Sequence, residues 1–328
     1  MRKHRFTLLL VVAIAMIAIY FVFNFNLLFG VNHEEKNVTV ILKSLNIRLD
    51  FWQAVNQGAE AAAKETGLNL SVEGPLIEGD SNAQIQILED AIARKPQAIV
   101  IDMVMDNRMP AILAKARAAG IKLVIINHSP SMKPSPIVVS SNHKEAGQLA
   151  GQTSIQETDG DPNIAVISDY ASSIISQERL EGMRLALKGY KASAMETYYA
   201  DDSEDQAYEI AKRLLRSDSG INTFITLNQS ASQGVARLLK EYNETGAINL
   251  IGFDSTSDEV QLLESGIMTA SIVQKPFNMG YLGVKAALKL IDGEKTEPIT
   301  YIESNVITKE NMYTTENQKL LFPFITSK

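Results

Sequence analysis

The chain has 328 residues, a formal charge of −7 at pH 7 and no cysteine. The absence of cysteine excludes disulfides, thiolate metal sites, cysteine nucleophiles and a lipid-bearing cysteine tether. No basic block follows the first few residues, so nucleic acid is not an expected partner, because phosphate binding needs concentrated Lys and Arg.

The first segment reads as a membrane anchor over residues 1–30. Arg2, Lys3, His4 and Arg5 form a basic head, and Phe6 to Phe29 is apolar except for Thr7, Asn24 and Asn26. Such a run approaches the roughly 20 residues that cross a bilayer. The exit from Asn26 to Val31 is a poor match to a small-residue cleavage site, so an uncleaved transmembrane helix is expected. Basic residues before it and Glu34-Glu35 after it predict a single-pass protein of the cell membrane, its larger part extracytoplasmic. The short linker, residues 31–37, keeps the folded part close to the lipid bilayer.

From Val38 onward two periods alternate. Continuous apolar stretches predict buried strands at Val38–Leu42, Ala98–Ile101, Leu123–Ile126, Ile164–Ile167, Thr223–Leu227, Leu250–Phe253 and Ala270–Val273. Between them, 3.6-residue periodicity predicts helices at Phe51–Thr66, Asn82–Arg94, Met109–Ala119, Glu145–Gln156, Gln177–Lys188, Asp205–Arg216, Ser232–Asn243, Asp258–Glu264 and Met279–Ile291. Asp50 with Gln53 fits an N-cap and its reciprocal partner, and Asp80 or Ser81 precedes the second helix. Strand, helix and strand at this spacing imply an α/β fold with parallel sheets covered on both faces.

Ligands of open parallel sheets bind at the carboxyl ends of the strands. Those ends carry Ser44, Asn46, Asp50, Phe51 and Trp52, then Asp80, Asp102 or Asp106, and Asn127. Ser141, Asn142, Asp169, Tyr170, Asn228, Asp254 and Gln274 follow, with Arg179 in the helix entered after Tyr170. Carboxylates, carboxamides and hydroxyls with aromatics and one guanidinium suit a neutral polyol, whose hydroxyls pair with planar forks and whose ring lies on an aromatic face. Phosphate would call for a glycine-rich loop and several cations. No Walker loop, H-E-x-x-H or G-x-S-x-G stands in the chain, so no enzyme is expected. His128 and His143 have no partner at metal-ligand spacing, so neither a metal nor another cofactor is expected.

At these residues the chain resembles the type I periplasmic sugar-binding proteins, the ribose- and galactose-binding group, from Val38 to about Thr308. The resemblance rests on Val40-Ile-Leu-Lys-Ser-Leu-Asn46 with Phe51-Trp52, Gly58-Ala-Glu-Ala-Ala-Ala63 and Ala146-Gly-Gln-Leu-Ala-Gly151. It continues in Ser176-Gln-Glu-Arg-Leu-Glu-Gly182, Ile251-Gly-Phe-Asp254 and Gln274-Lys-Pro-Phe-Asn-Met-Gly-Tyr281. It implies two Rossmann-like lobes, one of residues 38–140 with 275–304 and one of 141–274 with 305–328. It also implies a site of Asn46, Asp50, Phe51, Trp52, Asp106 (with Asp102 as the other register), Ser141, Asn142, Tyr170, Arg179, Asn228, Asp254 and Gln274. The second-lobe aromatic of the family is absent near Asp201-Asp202-Ser203, leaving Tyr170 or Tyr199 to replace it. Hinge closure on a monosaccharide is the implied mechanism. An anchored form of such a protein is expected to signal to a membrane histidine kinase, with delivery of sugar to an ABC permease as the alternative.

Overall fold

The computed structural model describes residues 14–21, 35–46, 50–128, 132–190, 195–217 and 220–321. Most of the expected anchor lies outside these. Within it residues 14–21 form an exposed helix, α1, and no helix among the described residues is long and apolar enough to cross a membrane. The chain divides into two units, Met1–Lys36 and Asn37–Lys328.

The second unit is built on two six-stranded sheets. One has the order β11-β5-β4-β3-β1-β2, from strands β1 (Asn37–Ile41), β2 (Asn69–Glu73), β3 (Ala98–Ile101), β4 (Lys122–Ile126), β5 (Ile137–Ser141) and β11 (Ile299–Ile302), all paired in parallel. The other has the order β12-β10-β9-β8-β6-β7, from β6 (Ile164–Ser168), β7 (Glu196–Tyr199), β8 (Thr223–Thr226), β9 (Asn249–Phe253), β10 (Ala270–Val273) and β12 (Asn305–Thr308). Only β12 runs antiparallel, against β10. Central strands such as β3 and β10 are buried along their whole length because helices cover both faces, which is why they are apolar throughout. The chain passes between the sheets three times: at Asn142, between Val273 and Pro276, and between Ile302 and Asn305. Two lobes result, with the carboxyl ends of both sheets available to one cleft.

Helices α2 (Asp50–Thr66), α3 (Ser81–Arg94), α4 (Met109–Ala118) and α10 (Pro276–Ile291) flank the first sheet. The second lobe has α5 (His143–Glu157), α6 (Ile174–Ala186), α7 (Glu204–Arg216), α8 (Gln229–Glu241), α9 (Ser257–Glu264) and the short α11 (Thr315–Leu321). Asp80 caps α3, accepting from the Ala83 amide at 3.0 Å. Asp50 is the first helical residue of α2 rather than the residue before it, which corrects its reading as a cap. There its charge still favours the positive end of the helix.

Helix α6, which carries Arg179, crosses α5 with almost no side chain between them. A Cβ on Gly182 would sit 1.9 Å from the Lys144 carbonyl, and one on Gly147 2.0 Å from the Arg179 carbonyl. Backbone contact of this kind sets the depth of α6, and so the position of Arg179. Gly182→Ala is expected to cost at least about 1–3 kcal/mol, the scale of overpacking in a close-packed interior. Thermal denaturation checks this, and an unchanged midpoint would show that the helices are not in backbone contact.

Candidate ligand-binding cleft

A cavity of about 400 Å³ lies between the lobes, lined by strand ends and helix starts from both. The first lobe contributes Lys43 just past β1, Asp50, Phe51 and Trp52 at the start of α2, Glu78, and Asn127 just past β4. The second contributes Asp169 past β6, Ser173, Ile175, Ser176 and Arg179 around α6, Gln229 at the start of α8, Asp254 past β9, and Gln274 past β10. Thr256, Ser257 and Asp258 complete it at the start of α9.

In the first lobe a buried carboxylate organises the floor. Asp102, at the end of β3, has no exposed surface. It accepts from Asn127 Nδ2 at 2.8 Å, with Lys43 Nζ at 3.4 Å and His128 Nδ1 at 3.3 Å. Burial pushes its pKa up, but Lys43, His128 and Asn127 outweigh that and hold the carboxyl below its usual value. Gln84 ties the surrounding strand ends together, donating to the Leu42 and Asp102 carbonyls and accepting from the Val104 amide. Asn127 adopts a left-handed backbone, φ 73°, and its carbonyl accepts from Ser140 Oγ at 2.6 Å. His143 Nε2 also lies 2.7 Å from that carbonyl, so it bridges the first crossing between lobes. Burial depresses the His143 pKa to about 3, with Arg179 adding to the effect, so the neutral ring donates Nε2–H there.

Trp52 is 4% exposed and belongs to the first-lobe core while also lining the cavity. Its Nε1 donates to Glu78 Oε2 at 3.2 Å, and Phe51 meets its ring edge-on at 4.8 Å between centroids. In the second lobe Arg179 is 3% exposed. Its Nη1 donates to the Leu227 carbonyl at 2.8 Å, and its guanidinium lies 4.1 Å from the centre of the Phe253 ring. Asp169 accepts from Ser168 Oγ at 2.9 Å and Ser176 Oγ at 2.7 Å. Asp254, at φ 83°, accepts from Gln274 Nε2 at 2.6 Å. Burial lowers the Arg179 pKa, while Asp254 and Asp169 oppose that shift.

Of the residues expected from sequence, Asp50, Phe51, Trp52, Arg179, Asp254 and Gln274 line this cavity; Asn46, Asp106, Ser141, Asn142, Tyr170 and Asn228 do not. The exclusions have local causes. Asn142 Oδ1 accepts the Glu145 amide at 3.1 Å and so caps α5, and Asn228 Oδ1 accepts the Ala231 amide at 3.3 Å and caps α8. The open amides of each helix start claim the nearest carboxamide first. Asn228 Nδ2 is in turn held by Asp202 at 2.6 Å. Asp106 is gripped by Arg108, whose backbone amide and guanidinium both donate to it and keep its carboxyl well below the usual range. Asp102 is instead the acid connected to the cavity, through Lys43 and Asn127. Ser141 is buried at the crossing, and Asn46 is half-buried with its amide on Ser44 Oγ at 3.0 Å. Tyr170 is 49% exposed and donates to the Asp201 carbonyl at 3.3 Å. Neither Tyr170 nor Tyr199 lines the cavity, so the second lobe offers Ile175 rather than an aromatic face.

Lys43, Glu78, Ser173, Ile175, Ser176, Gln229, Thr256, Ser257 and Asp258 also line the cavity and were missed as site residues. Lys43 stands directly before the strand-end Ser44, and Ser176 opens the Ser-x-x-Arg pattern, so both had a positional signal. A second cavity, of about 480 Å³, shares Asp50, Phe51, Asp254, Thr256, Ser257 and Gln274 and extends past Ala54, Val260 and Pro276 to Leu320 and Leu321. We place the polar chemistry in the first cavity, because the second is walled mainly by carbon. No group of three metal-ligating side chains occurs among the described residues.

Three buried polar atoms on the cleft lining have no hydrogen-bond partner: Asn127 Oδ1, Gln274 Oε1 and Arg179 Nε. An unpaired buried polar atom costs about 1–3 kcal/mol. The arrangement therefore favours a compact ligand rich in hydroxyl-type donors and acceptors, lying against Phe51 and Trp52.

A family model described as a periplasmic binding protein domain matches residues 38–295. The ribose import binding protein RbsB of Haemophilus influenzae is 24% identical over 271 residues, covering 83% of this chain and 91% of that protein. A sugar transporter from Clostridium phytofermentans is 32% identical, with a TM-score of 0.71 over 83% of this chain and 98% of that one. A carbohydrate transporter solute binding protein from Agrobacterium radiobacter, solved in complex with D-arabinose, is 26% identical with a TM-score of 0.77, covering 88% and 100% of the two chains.

Proposed function

Because the chain belongs to the periplasmic binding protein family, we propose that it binds a monosaccharide outside the cytoplasm by closing its lobes around it. The carrying observation is the convergence of Asn127 from one lobe with Arg179, Asp254 and Gln274 from the other on a single polar cavity beside Phe51 and Trp52. A ligand touching both lobes binds the closed arrangement better and shifts the population toward it. Relatives named for ribose and allose, and a structure holding D-arabinose, support a sugar of this size. All of these are binding proteins, which supports a non-catalytic reading.

The next step is delivery to a membrane permease. The expected alternative is therefore preferred over the expected signalling to a histidine kinase, because the relatives are named for import and transport. Loss of uptake in a deletion strain, with the transport genes expressed from a constitutive promoter, supports import. Intact uptake with lost sugar-induced transcription would restore the sensing reading. The apolar run of residues 6–29 supports a membrane anchor as part of the same proposal. Retention of the full chain in alkali-washed membranes is the expected result, and release into the wash would remove the anchor.

A thermal-shift screen of the purified full-length chain against common monosaccharides tests the binding reading directly. Trp52 is the only tryptophan and lines the cavity, so saturating sugar is expected to change the protein's emission, and Trp52→Phe to abolish that signal. A bound sugar that leaves wild-type emission unchanged would place Trp52 outside the site.

A further inference from the structure

The cleft carries more negative charge than a neutral sugar requires. Five carboxylates line it, Asp50, Glu78, Asp169, Asp254 and Asp258, against two cations, Lys43 and Arg179. Lys43 is already committed to buried Asp102 at 3.4 Å, and Arg179 is faced by Asp169 and Asp254. Among the described residues none of the five lining carboxylates forms an ion pair. Asp50 and Asp258 stand in the first turns of α2 and α9. Glu259, beneath the same wall, is excluded from this count: burial, with Asp254 beside it, raises its pKa to about 8. Burial raises the Glu78 pKa as well, with the Trp52 hydrogen bond and Lys43 opposing it, so Asp50, Asp169, Asp254 and Asp258 carry most of the surplus.

The unpaired polar atoms point the same way. Asn127 is 5% exposed and Gln274 6%; both line the cavity, and each has one buried side-chain oxygen without a donor. Their amide orientations are set by their neighbours. Asn127 Nδ2 faces the Asp102 carboxylate and Gln274 Nε2 the Asp254 carboxylate, and an ionised carboxylate only accepts. Both free atoms are therefore acceptors, against the single free donor Arg179 Nε. An acceptor-rich, anionic cavity matches an ammonium group, which offers three donors and no acceptor.

We propose that the preferred ligand is a monosaccharide carrying a protonated primary amine, an amino sugar, held through that amine by the surplus carboxylates and the two free amide oxygens. This rests on the sugar-binding reading and narrows its ligand class.

The test is calorimetric titration of the full-length chain, in mild detergent at pH 7, with D-glucosamine and D-galactosamine, their N-acetyl forms, and D-glucose and D-galactose. The amines are expected to bind about tenfold or more tightly than the neutral hexoses, the scale of one added charge-assisted bond. Raising the salt concentration should shrink that preference, and the N-acetyl forms should lose it, because they keep the nitrogen without its charge. Glu78→Gln and Asp258→Asn, both at exposed positions, should each reduce the preference while leaving the melting temperature without ligand in place. Neutral hexoses binding as tightly as the amines, or a double variant that keeps the full preference, would overturn the charge inference alone. Binding of no sugar in the series would instead overturn the sugar reading together with it.

Discussion

Arg179→Ala is expected to lose both ligand affinity and apo stability. The guanidinium is buried, donates to the Leu227 carbonyl, stacks on Phe253 and leaves Nε without a hydrogen-bond partner, in a residue that lines the cleft. Removing it strips the carbonyl of a charged donor and Phe253 of its cation, a stability cost of about 2–4 kcal/mol. The affinity loss should be about 1.5–3 kcal/mol, the scale of a charge-assisted hydrogen bond. Arg179→Lys keeps a charge but neither the planar fork nor the stacking, so it should recover part of the stability and little of the affinity. Melting curves with and without sugar separate the two effects. A solvated surface arginine would leave apo melting unchanged, and that result would refute the position assigned to it.

Asp102→Ala is expected to be the most damaging single change in the first lobe. It leaves Lys43 without its carboxylate and Asn127 Nδ2 without its acceptor beneath the cavity. Removing one partner of a buried charged pair costs about 3–5 kcal/mol; Lys43 keeps 18% of its side-chain exposure, which favours the lower end. The sign with pH follows from the depressed pKa of Asp102. Its stabilisation is present above the unfolded-state value near about 3.9 and is lost as pH falls below that toward the folded value. Asp102→Asn should therefore flatten the acid limb of the stability profile. Chemical denaturation between neutral and acid pH measures this, and an unaltered acid limb would show that Asp102 is not ionised in the fold.

The lobes differ in how they bind charge, and that difference bears on ligand choice. The first lobe compensates its one fully buried acid internally, through Lys43 and His128. The second sets a single buried arginine among Asp169, Asp254 and a cap-bound Glu259 that burial keeps protonated near neutrality. Neither cation is left over for an anionic ligand. These pairings, added to the neutral polyol that residue types suggest, are what motivate the proposal of an amine-bearing sugar.

Much of this architecture was legible before any tertiary contact. All nine expected helices are present, shifted by a few residues at their ends, and the seven expected strands fall on β1, β3, β4, β6, β8, β9 and β10. All seven are interior strands, and both faces of such strands are covered, so burial writes itself as an unbroken apolar run. Asp254 and Gln274 were legible for a related reason, because they stand just past β9 and β10, where a parallel sheet offers its ligand residues; Asp50, Phe51, Trp52 and Arg179 lie in the helices that follow β1 and β6 and were legible through the family resemblance. Asn142 was expected as a ligand residue, and only the structure shows its Oδ1 taken by the Glu145 amide at the start of α5.

The remainder was decided by tertiary structure. β2, β7, β11 and β12 are the edges of the two sheets, half-exposed and only partly apolar, so no local period marks them; pairing with a neighbour makes them strands. β5, with the polar end Ser140-Ser141, was missed although it lies inside its sheet. The choice between Asp102 and Asp106 was likewise not local. Each is an aspartate past β3, and only packing shows that Lys43, Asn127 and His128 surround the first while Arg108 takes the second. Which polar groups remain free to meet a ligand is a property of what their neighbours have already claimed, and those neighbours come from distant parts of the chain.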